Sequence, residues 1–293
     1  MSFSVSREEI FSVTPMVESI DCGVMKCGLY CKKNTSTIYA IKKYVDNKEV
    51  YLTIRANSHE NIIQFRGVTK LKGEKKYSLV LEHADGGTLK DYLRNSVIEW
   101  KNQLRLAREI VSAILWLHDE KGIIHGDLHS NNFLLHKGTI KLADFGRSCL
   151  KGAGRYNTQL NEKSDIYSLR VIYWELTSHS SPFNYGTRND HTSIMLTILN
   201  GLREDPIENT NVIFVGLYQK FWEHEPDKRP DIHQVNLELK GIDSENNNVS
   251  PVFYSEEKET SEKIESEDSD LSNCKADCDL NKIIISQDSC ISS

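Results

Sequence analysis

Near residue 82 the spacing of apolar residues changes from a strand period to a helical one, so one chain has to build two differently constructed halves. Over 37–42 the side chains alternate, with Ile38, Ala40 and Lys42 on one face and Tyr39 and Ile41 on the other. Residues 77–82 form a second strand pattern, followed by the turn signal Asp85-Gly86-Gly87 and a short helical stretch over 88–93. A short helix is expected between the two strands, over 47–57. Beyond the turn, Leu104, Ala107, Val111, Ile114 and Leu115 recur at helical spacing and predict a buried helix over 102–118. Two short strands, 133–135 and 139–142, flank a Lys137-Gly138 turn, and further helices are predicted over 165–177, 192–202, 210–224 and 231–240. The expected class is α+β and bilobal: an N-terminal extension over 1–18, a small β-rich lobe over 19–82, a crossing at 82–87 and a larger α-helical lobe over 88–241.

The remainder, 242–293, has a different chemistry. Residues 243–293 carry thirteen acidic and four basic residues, a balance of −9 within a chain of net charge −6, which leaves about +3 for everything before them. Ser, Glu, Asp and Asn dominate this stretch, and it cannot bury enough apolar surface to offset its ordering entropy. An acidic disordered tail is expected. The small positive balance elsewhere gives no reason to expect a nucleic-acid or membrane partner. No apolar run approaches the eighteen or so residues of a membrane helix, and residues 1–15 lack the charged, apolar and small-residue succession of a secretory leader. Seven scattered cysteines form no disulfide framework, so the cytoplasm is the expected location.

Chemistry concentrates after the buried helix, in His125-Gly126-Asp127-Leu128-His129-Ser130-Asn131-Asn132 and, twelve residues past Asn132, in Asp144-Phe145-Gly146. Asp127 and Asn132 share a loop, and the predicted hairpin returns the chain to it at Asp144. Two carboxylates and an amide converging on a small space suit Mg²⁺, a hard cation that takes oxygen ligands and is often completed by substrate phosphates. Upstream, Lys42 projects from a strand and Glu49 lies on the next helical segment. A lysine held by a glutamate places a fixed positive charge opposite a phosphate pair.

These residues resemble the eukaryotic protein kinase family over about 19–239. Tyr39-Ala40-Ile41-Lys42 is similar to the family's V-A-I-K strand, the loop 125–132 to H-R-D-L-x-x-x-N, and the D-F-G at 144–146 is intact. Residues 164–168 resemble the start of the family's central helix and residues 227–230 its late arginine motif. The pairing of residues 82–93 with residues 164–178 resembles the tyrosine-kinase-like group, whose members mostly phosphorylate Ser or Thr. The resemblance implies a kinase-like fold and Mg²⁺-dependent phosphoryl transfer from ATP to Ser or Thr, with Tyr as a further option, on an unidentified protein. Lys42 would hold the phosphates, Glu49 would fix Lys42, Asn132 and Asp144 would bind Mg²⁺, and Asp127 would orient the acceptor hydroxyl and receive its proton. Ala40, Cys27, Leu81 as gatekeeper, Glu82 and Ala84 would line the nucleotide.

Several positions depart from the family pattern. Residues 20–27 align with G-x-G-x-x-G-x-V and have no glycine at its three glycine positions, so Cβ atoms stand where backbone amides should approach phosphate. Lys42 and Glu49 are seven residues apart, so the helix carrying Glu49 must start almost at once after the strand. Gly126 replaces an arginine, and His129 takes the place of a lysine common in Ser/Thr kinases. Between Asp144 and Asp165 there is no A-P-E, and the stretch is roughly a dozen residues shorter than the family usually shows. Arg229 resembles the arginine that pairs with the missing glutamate, and so must find another acid, meet water or loosen the lobe. Arg170 stands where the central helix carries a small residue and is expected to reach into the vacated space. A pseudokinase, or a truncated kinase acting as a nucleotide-binding or scaffold module, is the alternative reading.

Overall fold

A computed structural model describes residues 29–31, 38–43, 45–69, 77–152, 160–184, 192, 196, 198 and 200–244. The expected extension, the segment 20–27 with Cys27, most of the helix predicted over 192–202 and the tail from 245 onward lie outside the described residues.

In the first half, β1 (Leu29–Cys31), β2 (Ile38–Lys42), β3 (Phe65–Thr69) and β4 (Ser78–Glu82) form an antiparallel sheet in the order β1-β2-β4-β3. The alternation in β2 is realised: Ile41 is buried, and Ala40 and Lys42 on the other face stay partly open. Register sets Ala40 opposite Leu81 and Lys42 opposite Leu79. Strand β3 has no clean period in the sequence because its pairing shifts between Phe65 and Gly67, a bulge that moves the following side chains by one position. Helix α1 (Asn47–Ala56) follows β2 closely because Asp46 caps it, accepting the Glu49 amide at 2.7 Å. Its Val50 packs with Phe65, Val68 and Leu79 in a small core beneath the sheet.

The second half is helical. Helix α2 (Leu89–Asn95) is capped by Thr88, and α3 (Trp100–Leu115) buries Leu104, Ala107, Val111 and Ile114 completely, while Leu115 falls on the flank of that stripe. A π turn, Trp116–Lys121, extends α3 and ends at Gly122 with φ of 61°. Strand β5 (Ile123–Ile124) pairs with β8 (Cys149–Leu150), and between them β6 (Phe133–His136) and β7 (Thr139–Leu142) form a hairpin. Lys137 and Gly138 both have positive φ, as a two-residue hairpin turn requires. The crossing after β4 is pinned to β6 by Gly86, whose amide donates to Leu135 O at 2.8 Å and whose missing Cβ would lie 2.8 Å from the Leu135 Cβ.

Helix α4 (Glu162–Ser178) starts at an Asn161–Ser164 capping box and runs through the centre of the helical half. It packs with α3 and α5 (Val212–Lys220) around Tyr173, Phe214, Tyr218 and Phe221, and α6 (Ile232–Gly241) packs on α3 and α5. Ile242, just past α6, is also buried in this core, and Arg108 donates to its carbonyl at 2.8 Å.

The two isolated arginines find different surroundings. Arg229 donates to the carbonyls of Glu223 at 2.8 Å, Lys163 at 3.0 Å and His224 at 3.2 Å, and lies over the Tyr167 ring. Main-chain oxygens therefore replace the absent glutamate. Arg170 is only 3% exposed, its guanidinium against Trp222 and one nitrogen donating to Glu204 O at 3.3 Å. Its Nε and Nη1 are buried without a hydrogen-bond partner, and burial, with the charge of Arg203 added, lowers its pKa to about 9.

Glu175 is the other costly buried charge in α4. Burial raises its pKa to about 7, against a hydrogen bond from Ser130 and the charges of Lys90 and Arg94. A carboxyl whose folded pKa lies above its unfolded value stabilises the fold below the unfolded pKa and loses that contribution as pH rises toward 7. Glu175→Gln is therefore expected to raise stability at pH 8 by about 2–3 kcal/mol more than at pH 4.5, measured by urea unfolding at both values.

Candidate active site

Lys42 is the centre of the site. Its Nζ lies 2.5 Å from Glu49 Oε1 and 2.8 Å from Asp144 Oδ1, so the strand lysine, the helix glutamate and the remote aspartate meet. The short connection between Lys42 and Glu49 is workable because the Asp46 cap starts α1 at Asn47 and sets Glu49 in its first turn. Glu49 is buried, not a solvated face of the helix. Burial alone would lower the Lys42 pKa, but the hydrogen bonds and charges of Asp144 and Glu49 outweigh it and hold the ammonium above its ordinary value. Burial pushes the Glu49 carboxyl up, with Lys42 opposing. For Asp144 the balance is reversed: burial works against ionisation, yet the Lys42 hydrogen bond and charge keep the carboxyl below the usual range.

Asp144 adopts φ of 69°, a left-handed conformation that Asp tolerates better than most residues, and its Oδ1 also accepts the Gly146 amide at 3.1 Å. Both contacts fall on Oδ1, which leaves Oδ2 for a cation. A Cβ at Gly146 would stand 3.2 Å from Asp144 Oδ1 and 3.5 Å from Glu49 Oε2, so the glycine permits this close approach.

The loop 125–132 is held from two sides. From α4, the buried Asp165 accepts His118 Nε2 and the His125 amide on Oδ2 and the Gly126 amide on Oδ1, each at 2.8 Å. From β7, the Ala143 amide donates to Asn132 O at 2.9 Å, next to Asp144. Gly126 has φ of 74°, and a Cβ there would meet Leu160 Cδ2 at 2.7 Å, so a larger residue would require Leu160 to move. His125 is fully buried, donates from Nε2 to Ala143 O at 3.1 Å and packs edge-on against Phe145, and burial lowers its pKa.

Asn132 Nδ2 donates to Asp127 O at 2.8 Å and lies 3.2 Å from His129 Nε2. Its amide oxygen is thus the atom available to a metal. Asp127 Oδ2 faces two nitrogens at 3.8 Å, Nε2 of His129 and Nε of Arg147. Among the described residues no three His, Cys, Asp or Glu side chains cluster as a closed metal cage. An amide and one carboxylate fit Mg²⁺ completed by phosphate oxygens. No described helix is long and apolar enough to cross a membrane.

The residues expected along the nucleotide divide into two groups. Ala40 and Leu81 face each other across β2 and β4, and Ala84 is half-buried in the crossing. Glu82 is engaged in structure, its Oε1 accepting the Gln64 amide at 2.9 Å and lying 3.3 Å from Lys141 Nζ. Cys27 lies outside the described residues. Sequence reasoning gave no task to Asp165 or Arg147. Asp165 is one of two acids in the first turn of α4, beside Glu162, and nothing local singles it out; nothing local marks Arg147 either, which reaches Asp127 only through the fold. Asp165→Ala is expected to cost about 3–5 kcal/mol in urea unfolding, since it strands buried donors, and to abolish activity with it. A cost below 1 kcal/mol would refute this anchoring role.

Comparison with known proteins gives a consistent picture. A protein kinase domain family matches residues 23–160, and a protein tyrosine and serine/threonine kinase family matches residues 154–239. The serine/threonine/tyrosine-protein kinase HT1 of Arabidopsis thaliana is 30% identical over 207 residues, covering 63% of this chain and 52% of that protein. The dual specificity protein kinase zakA of Dictyostelium discoideum is 30% identical over 66% of this chain and 30% of its own length. The serine/threonine-protein kinase STY46 of Arabidopsis thaliana is 27% identical over 74% of this chain and 42% of its own. The chain spans about half, or less, of the length of the curated relatives it matches.

Proposed function

Because this chain belongs to the protein kinase family, of the tyrosine-kinase-like type, we propose that it transfers the terminal phosphoryl group of Mg–ATP to Ser or Thr hydroxyls of a protein, with Tyr as a secondary acceptor. The observation that carries the proposal is the contact of Lys42 with both Glu49 and Asp144. A strand lysine, the glutamate seven residues on and an aspartate 102 residues away meet there in the arrangement that phosphoryl transfer demands. Lys42, held by Glu49, binds the phosphates. Asn132 and Asp144 hold Mg²⁺, which when bound neutralises phosphate charge and orients the transferring group. Asp127 orients the acceptor hydroxyl and accepts its proton, which leaves the acceptor oxygen as the nucleophile. Catalysis is then chiefly positioning and charge stabilisation. We assign these roles to the domain expected over 19–241, whose core extends to Ile242, followed by an acidic tail, and place the protein in the cytoplasm.

The absent glycines over 20–27 and the missing A-P-E favour weak nucleotide binding and altered acceptor docking rather than a different chemistry. The test is transfer of labelled phosphate from ATP with Mg²⁺. Asp127→Asn is expected to lower turnover by about 10²–10⁴-fold with nucleotide affinity retained, and Lys42→Met to lower both. Nucleotide binding without any transfer by the unaltered chain would leave the pseudokinase reading in its place.

A further inference from the structure

We propose that His129 is a positioning residue: its Nε2 accepts a hydrogen bond from Asn132 and holds that amide with its oxygen turned to the metal. The inference rests on the reading above that Asn132 and Asp144 take Mg²⁺ with a nucleotide.

An amide nitrogen has two N–H groups and no acceptor capacity, so the 3.2 Å contact runs from Asn132 Nδ2 to an imidazole nitrogen that carries a lone pair. The other N–H is taken by Asp127 O at 2.8 Å. With both donors engaged, the rotation that exchanges amide oxygen and nitrogen would set oxygen against a carbonyl on one side and a ring lone pair on the other. Two acceptors therefore fix an orientation that one would fix less firmly. Local geometry brings the pair together: the Asn132 amide donates to His129 O at 2.9 Å, closing a turn that puts residues 129 and 132 on one side of the loop. The ring is committed to Asn132 rather than to Asp127, whose Oδ2 is 3.8 Å from Nε2, beyond hydrogen-bond distance. His129 is substantially exposed, with a side chain 43% accessible, so packing alone does not account for its position. A lysine here would offer three donors and no acceptor, and cannot hold the amide in this way.

The test measures metal dependence by binding rather than by turnover. A fluorescent ATP analogue is titrated with Mg²⁺ on the full chain, on His129→Lys, on His129→Gln, whose amide oxygen restores an acceptor, and on Asn132→Ala as the reference for loss of the ligand. His129→Lys is expected to raise the Mg²⁺ concentration for half-maximal effect about tenfold, in the range found when a residue orienting a metal ligand is removed. His129→Gln is expected to remain within about twofold of the unaltered chain, on the same basis. Nucleotide affinity in EDTA separates a metal effect from general loss of structure, which would lower both. An unchanged Mg²⁺ requirement in His129→Lys, or an equal defect in His129→Gln, overturns the inference while leaving the nucleotide site intact. Nucleotide binding by the unaltered chain that is indifferent to Mg²⁺ overturns the reading of the site, and this inference falls with it.

Discussion

One ammonium group shared by two carboxylates ties two successive elements to a third piece of chain that is remote in sequence. Lys42 comes from the sheet, Glu49 from the helix beside it and Asp144 from the turn after the distant hairpin. Glu49 is the most constrained of the three, because its buried carboxylate would be uncompensated without Lys42. That requirement fixes α1 against the sheet, and Asp46 supplies the cap that lets the helix begin in time. Asp144 is more open, so its bond to Lys42 is individually modest. Its value lies in bringing the Asp144 carboxylate, the one proposed to hold Mg²⁺, to the edge of the strand-rich half.

The opposite wall depends on Asp165. One carboxylate receives a side-chain donor from His118 and two consecutive main-chain donors, so the start of the loop 125–132 is attached to the central, largely buried helix α4. The loop's far end is attached through Asn132 O to the residue before Asp144. Asp127 lies between these two attached ends of the loop. Gly126 fits the same design: it presents an amide to Asp165 in a left-handed conformation and leaves room for Leu160.

Where residue type and period agreed, the sequence was a sufficient guide to this structure. The buried stripe of α3, the Lys137-Gly138 hairpin and the alternation of β2 are written in local spacing, and the ordered motifs around Lys42, Asp127, Asn132 and Asp144 add the long-range arrangement. Strand β3 was hidden because its bulge at Phe65–Gly67 breaks the period on which such reading depends. Asp165 and Arg147 were hidden for another reason: each acts on residues remote in sequence, and neither is marked by spacing. His129 was visible as a departure, but its contact with Asn132 is a matter of ring orientation, which only the turn at 129–132 determines.

Arg229 and Arg170 show why a missing charge partner is easier to read than its replacement. Both look stranded in the sequence, one without its glutamate and the other in an apolar helix. Arg229 meets three carbonyl oxygens and an aromatic face, a set that disperses its charge without any carboxylate. Carbonyls occur at every residue, so no pattern of side chains announces that three of them will converge. Arg170 has one carbonyl and the Trp222 ring, with Arg203 nearby adding repulsion. A cation–π contact is worth too little to offset the desolvation of a guanidinium with two unmet nitrogens. The helical half is therefore electrostatically sound at position 229 and strained at position 170, and the difference lies in how many main-chain oxygens each guanidinium meets.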